Sequence, residues 1–206
     1  MEHKLFYLAG LVSGDGYLEP RRNRIDIRAT DAAFLKTLRN LFHEFNPTLD
    51  LNHSRLRITS SKLVRVLTND FCIPKGRKSK TILVPKLLDE AETVEQANYL
   101  AGWYDAEGWL ELDERYAPAY PRIRFGVCNK MVQQALAKIL FQLGFEVSKF
   151  PTKQNSFIID LNGRKNFEMF FEKIPVKHSK WGLRSSALNM SPLLAHTARQ
   201  VNQAGF

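Results

Sequence analysis

Apolar and polar residues alternate in two rhythms along this chain, and the rhythms run through the same order twice. An almost unbroken apolar stretch, Leu5-Phe-Tyr-Leu-Ala-Gly-Leu-Val12, lies near the start. Strict alternation follows in Arg24-Ile-Asp26-Ile-Arg28-Ala-Thr30, the period of a strand with one buried face. Phe34, Leu35, Leu38, Leu41, Phe42 and Phe45 then fall at helical spacing behind the capping pair Thr30-Asp31. Strand-like runs over 49–52 and 56–59 come next, and a helix carrying Leu63, Val64, Leu67 and Phe71 leads to Ile73-Pro74. The cycle restarts near Tyr99 and passes through the alternating Arg122-Ile-Arg124-Phe. A helix with Met131, Val132, Leu136, Ile139, Leu140 and Leu143 runs between Asn129 and Gly144. Runs over 147–150 and 157–161 and a helix with Phe167, Phe170 and Phe171 reach Ile174-Pro175. The predicted order is α-β-β-α-β-β-α, twice, which makes the chain α+β with two pseudo-symmetric repeats.

The repeats divide the chain into residues 1–83, a linker over 84–94 and residues 95–206. The linker carries Pro85 and the acids Asp89, Glu90 and Glu92, a charge that suits a connector kept off a polyanion. A packing helix is expected at the end, opened by Ser191-Pro192 and followed by Gly205. With 206 residues, 44% of them hydrophobic, the chain can bury a core and is not wholesale disordered. Two cysteines, Cys72 and Cys128, exclude a disulfide scaffold and a Cys-rich zinc module. An intracellular setting is expected, the cytoplasm of a prokaryote or an organelle. The opening apolar run is too short to span a bilayer, and its recurrence in mid-chain argues against a cleavable signal. A formal charge of +9 points to a polyanionic partner.

Tyr7-Leu-Ala-Gly10 recurs as Tyr99-Leu-Ala-Gly102, and each copy runs on into an acid and a glycine, Asp15-Gly16 and Glu107-Gly108. As helices, the two segments carry small residues four apart, Gly10 with Gly14 and Gly102 with Ala106, a seam that lets backbones approach closely. In a pseudo-twofold protein the partner of each seam is the other, and Asp15 and Glu107 then converge. The last carbonyls of a helix lack intrahelical partners and carry partial negative charge. Two carboxylates there repel one another unless a cation intervenes. Together with the carbonyls of Gly14 and Ala106 they are hard ligands suited to Mg²⁺, which can activate water and stabilise the leaving oxygen of a phosphodiester. One Asp-Gly alone would read as an ordinary turn; two acids at matched places weigh against that. Asp105, replaced by Ser13 in the first copy, reads as a local hydrogen-bonding group.

Both segments, LAGLVSGDG and LAGWYDAEG, resemble the LAGLIDADG motif of homing endonucleases, each matching six of its nine letters. The repeat order and spacing resemble the single-chain, two-motif branch of that family across essentially the whole chain. The departures are Val12, Ser13 and Gly14 in the first copy and Trp103, Tyr104 and Glu107 in the second. Glutamate for aspartate keeps the carboxylate but makes the two sites unequal. The resemblance implies two four-stranded antiparallel sheets forming a saddle on the major groove of double-stranded DNA. It further implies a monomer, cleavage of both strands across the minor groove with 3′ overhangs, and Mg²⁺ as cofactor. Mn²⁺ is the expected substitute, and Ca²⁺ is expected to bind without supporting cleavage. Lys80 and Lys180, each in Ser-Lys after Ile-Pro, resemble the basic residues that the family holds beside the metals. The alternative for them is generic phosphate contact, shared with Lys75, Arg77, Lys78 and Lys177.

Arg24, Asp26, Arg28 and Thr30 share one strand face, as do Arg55, Arg57 and Thr59, and Arg122 and Arg124. Arginine pairs bidentately with guanine and acids accept from cytosine, so arginines mixed with Asp26, Glu111 and Asp113 suggest base reading. Cross-strand ion pairs on a solvated face are the plainer alternative. The turn Pro20-Arg21-Arg22-Asn23 and the loop from Arg115, with Tyr116 and Tyr120, are expected at phosphates and flanks. Thr30 and Asn129 either orient water or cap the following helices. Histidines 3, 43, 53, 178 and 196 form no motif. The rival functions are an intron RNA maturase of the same fold and a non-cleaving sequence-specific DNA-binding protein, and the presence of both acids favours the nuclease. An intein origin is not expected, because the pattern begins within ten residues of Met1.

Overall fold

The computed structural model describes residues 2–113, 115–116, 119–152 and 156–178. Lys180 and the helix expected after Ser191 lie outside the described residues. The first repeat runs α1 (Glu2–Gly14), β1 (Tyr17–Leu18), β2 (Arg24–Arg28), α2 (Ala32–Leu41), β3 (Thr48–Asp50), β4 (Arg55–Thr59) and α3 (Ser61–Asn69). The second runs α4 (Thr93–Glu107), β5 (Gly108–Asp113), β6 (Tyr120–Val127), α5 (Lys130–Gln142), β7 (Ser148–Pro151), β8 (Phe157–Asn162) and α6 (Gly163–Lys173). Each repeat closes one four-stranded antiparallel sheet, ordered β1-β2-β4-β3 and β5-β6-β8-β7. The predicted α-β-β-α-β-β-α order is present in both.

Alternation decides the faces. Ile25, Ile27, Leu56 and Ile58 are buried in the first sheet, and Ile123, Phe125, Ile159 and Leu161 in the second, while the charged residues between them face outward. Two local departures have simple causes. β2 stops at Arg28 and leaves Thr30 outside the strand, because Asp31 accepts from the Ala33 and Phe34 amides and starts α2. Phe45 falls outside α2 because the helix ends at Leu41 and a separate 3-10 turn, His43–Phe45, follows. Ser60 and Asn129 cap α3 and α5 in the same way as Asp31 caps α2. A cap contributes about 1 kcal/mol, whereas each fully buried large side chain contributes ~1.5–3 kcal/mol. Caps therefore set where these helices begin, and the core holds them in place.

α1 and α4 differ from the other helices in being buried almost all round, as their unbroken apolar sequences require. They lie against each other at the glycine seam. A Cβ at Gly10 would land on the carbonyl of Tyr99, and one at Gly102 on the carbonyl of Tyr7. Only glycine permits backbones this close. The stretch expected to be a linker is packed: Leu88 is buried, and its carbonyl accepts from the Gln96 side chain at 2.8 Å. Asp89 pairs with Lys138 of α5. Among the described residues no helix is long and apolar enough to cross a membrane.

Candidate functional site

The crossing of α1 and α4 carries their C-terminal ends to one place. A Cβ at Gly14 would lie 3.2 Å from Cγ of Glu107. Asp15 follows the last residue of α1, and its amide closes the helix on the Leu11 carbonyl at 3.2 Å. Glu107 is the last residue of α4, which Gly108 closes on the Tyr104 carbonyl. The carbonyls of Gly14 and Ala106 accept no turn or loop amide among the described residues. Each carboxylate is open to solvent on one side and walled by protein on the other. That burial raises both carboxyl pKa values, and for Glu107 the charge of Asp15 raises it further. Lys78 opposes the shift in both, and Arg28 opposes it for Asp15.

A crevice opens beside each acid. That of Asp15, about 440 Å³, is lined by Arg28, Thr30, Phe34, His53, Asp105 and His178 among others. That of Glu107, about 370 Å³, is lined by Lys78, Trp109, Gly126, Cys128, Phe157 and Ile158 among others. Lys78 is half-buried, donates to the Gly16 carbonyl at 2.6 Å, and feels Asp15, Glu107 and Cys128; burial lowers its ammonium pKa. The basic group at the centre is thus Lys78, while Lys80 is exposed two residues further along the same loop. Lys177 turns inward instead, toward Asp105. Thr30 lines its crevice, but Asn129 does not share that role. Its side chain caps α5 through the Val132 amide at 2.9 Å and donates to the Ile82 carbonyl at 3.2 Å. Since Asp31 and Asn129 hold matching cap positions, the counterpart of Thr30 is Cys128.

Asp105 is buried and gathers donors from both repeats: the Tyr7 hydroxyl at 2.7 Å, the Lys177 amide at 2.6 Å and the His178 amide at 3.3 Å. Burial of the Tyr7 phenol pushes its pKa up, and the charge of Asp105 raises it further. His178 stacks on Phe34 with ring centroids 4.4 Å apart, and its Nδ1 lies 3.4 Å from Asp31. The segment after α6 is therefore strapped across α4 onto the first repeat. The mirrored position holds Ser13 beside the buried Tyr99 hydroxyl. Nothing in the spacing of the histidines signals His178, because its partners come from α2 with its cap and from α4, both far away in sequence.

On the outward strand faces most arginines are tied to acids. Arg24 meets Glu19 at 2.7 Å, Arg57 meets Asp26 at 3.3 Å, and Arg124 meets Glu111 and, at 3.5 Å, Asp160. Asp113 accepts from Arg115 at 2.6 Å and Arg122 at 3.4 Å, and Arg115 holds its pKa at about 2. Arg21, Arg22, Arg28, Thr59, Tyr116 and Tyr120 are exposed, and Arg55 is half-buried. The cross-strand ion pairs are thus real, and they fix the direction of the guanidinium groups on a face that stays open.

The sequence signature of the LAGLIDADG-like domain matches residues 2–70 and 94–175, one stretch in each repeat. The probable translation initiation factor IF-2 of Thermococcus kodakarensis is 27% identical over 167 residues, 80% of this chain and 14% of that protein. Its namesake from Methanocaldococcus jannaschii is 25% identical over 177 residues, again 14% of the longer protein. The chain thus spans a small part of the length of the curated relatives it matches. Among solved structures, the homing endonuclease I-DmoI in complex with DNA and Mn superposes with a TM-score of 0.58 at 21% identity, over 86% of this chain and 98% of that one. The homing endonuclease I-WcaI bound to its DNA recognition sequence gives 0.62 at 17% identity, over 84% and 81%. At these identities the likeness is one of fold.

Proposed function

This chain belongs to the LAGLIDADG-like family, and we propose that it is a site-specific endonuclease hydrolysing both strands of a long, asymmetric DNA duplex. The observation that carries the reading is the meeting of Asp15 and Glu107 at two helix ends, where each helix already contributes negative charge. Two carboxylates raised by burial and, for Glu107, by its neighbour's charge form a site that a cation relieves. The donors are all oxygen, which suits a hard divalent ion, Mg²⁺ or Mn²⁺. Asp15 and Glu107, with the carbonyls of Gly14 and Ala106, would hold it. When bound, the ion supplies Lewis-acid polarisation of the phosphodiester and acidifies the attacking water.

The chain's own groups do the rest. Lys78 spends one donor on the Gly16 carbonyl and has two left for phosphate oxygens, where its charge offsets that developing in the transition state. Lys80, exposed on the same loop, serves as a contact to the phosphate backbone. The outward arginines of the two sheets read bases in the major groove, with Arg21, Arg22, Arg115, Tyr116 and Tyr120 at the flanks. Both acids lie in one chain, so the protein acts as a monomer, and the cut leaves 3′ overhangs. The test is cleavage of a duplex recovered by selection. Linear product should form in Mg²⁺ and vanish in EDTA, while Ca²⁺ supports binding alone. Cutting that persists in EDTA refutes the reading.

A further inference from the structure

The two sheets present opposite chemistry to DNA at the strand positions nearest the acids. Strand register fixes the correspondence. Asp26 stands opposite Arg57 in the first sheet, and Arg124 opposite Asp160 in the second, at 3.3 and 3.5 Å. This is one ion pair with its polarity reversed. Two residues further toward the acids, Arg28 stands opposite Arg55, whereas Gly126 stands opposite Ile158.

Directly opposed residues of an antiparallel pair project to the same face, and like charges so placed disfavour folding. Arg28 and Arg55 nevertheless have no ion-pair partner among the described residues, unlike Arg24, Arg57, Arg122 and Arg124. Asp50 lies across from Arg55 on β3, but its carboxylate turns to Nδ1 of His53 at 2.8 Å. Among the described residues, Nε of Arg55 is buried without a hydrogen-bond partner, as are those of Arg24, Arg57, Arg122 and Arg124, so what sets Arg55 apart is the missing carboxylate. Arg28 lines the crevice of Asp15. On the other side, Gly126 packs against the Glu107 carbonyl and the Trp109 ring, and Ile158 lines the same crevice.

We infer that the DNA target is itself asymmetric at the base pairs flanking the two acids, with guanine facing Arg28 and Arg55 and thymine facing Gly126 and Ile158. The inference rests on the DNA-cleaving function proposed above. Guanine offers O6 and N7 as paired acceptors in the major groove, the match to a guanidinium fork. Thymine offers a methyl group that contacts apolar surface, which Ile158 and the Trp109 ring supply in this crevice. The second side carries no polar strand group at that position with which to read guanine or cytosine.

Selection from a duplex library with a randomised core tests this, with the full chain binding in Ca²⁺ and cutting in Mg²⁺. Recovered sequences should carry guanine on one side of the centre and thymine at the pseudo-symmetric position. Arg55→Gln should lower the guanine preference about tenfold without altering the thymine. Arg55→Lys, which keeps the charge and loses the fork, should do the same. Ile158→Arg should replace the selected thymine by guanine. Arg55→Lys that keeps the guanine preference, or Arg55→Gln that weakens all sequences equally, would show a phosphate contact and overturn the inference. Selected sequences lacking the asymmetry overturn it alone. A wild-type protein that selects no sequence overturns the DNA-cleaving function with it.

Discussion

Asp15 shares its crevice with Arg28, Thr30, His53 and His178, whereas Glu107 shares its own with Lys78, Trp109 and Cys128. The helices that deliver the two acids are near copies. Gly10 and Gly102 allow each helix to rest on the other's backbone, and neither position tolerates a side chain. The tyrosines preceding the motifs are both buried, yet the Tyr7 hydroxyl meets the charged Asp105 and the Tyr99 hydroxyl meets the neutral Ser13. The difference separates what packing demands from what a ligand demands. Backbone approach and strand alternation are common to both repeats because the same core must close twice. On the proposed function, the groups around the acids diverge because each faces a different half of an asymmetric target.

The largest effects should come from the acids themselves. Asp15→Asn and Glu107→Gln should each reduce double-strand cleavage at least ~10²–10³-fold while leaving affinity in Ca²⁺ nearly unchanged, measured with strand-labelled duplex. If only one of them matters, the centre is not shared. Next, Lys78→Met should slow cutting about 10²-fold, and Lys80→Met should mainly weaken binding at raised salt. The reverse ranking would return the central role to Lys80.

Smaller effects probe the scaffold. Asp105→Ala, which strands the buried donors of Tyr7, Lys177 and His178, should cost about 3 kcal/mol in urea denaturation. Tyr7→Phe should cost ~1–2 kcal/mol, and Ser13→Ala at the mirrored position within ~0.5 kcal/mol. Equal losses at both positions would mean that the strap adds nothing to the crossing. The smallest effect concerns pH. The raised carboxyl pKa values of Asp15 and Glu107 mean that the folded protein keeps these protons to higher pH than the unfolded chain. Their contribution to the metal-free protein is therefore most favourable in acid and is lost as pH rises through the carboxylate range to the raised values. Asp15→Asn should flatten that part of the stability profile, and an unchanged profile would show that burial does not raise the Asp15 carboxyl pKa.

Much of this was legible in the sequence because packing writes periodic signals. The two motif helices, the strand faces and the meeting of Asp15 with Glu107 all follow from spacing. The basic group at the centre does not. Whether Lys78 or Lys80 reaches the acids depends on the path of a loop that passes through Gly76 in the left-handed region at φ 80 and turns Lys78 onto the Gly16 carbonyl. Thr30 and Asn129 both follow their strands but are not counterparts, being offset by one residue between the repeats. Corresponding strands say where a chain runs, but only the helix caps at Asp31 and Asn129 fix the register. His178 was invisible, since it is placed by the fold of the strap rather than by its neighbours in sequence.

The decisive experiment is diffraction from the protein bound to its selected duplex in Mn²⁺, with data collected at the manganese absorption edge. Anomalous density should appear at the joined ends of α1 and α4, in contact with the carboxylates of both Asp15 and Glu107, and it should weaken in Glu107→Gln. Metal held elsewhere, or a productive complex with none at that junction, would contradict a shared two-acid centre.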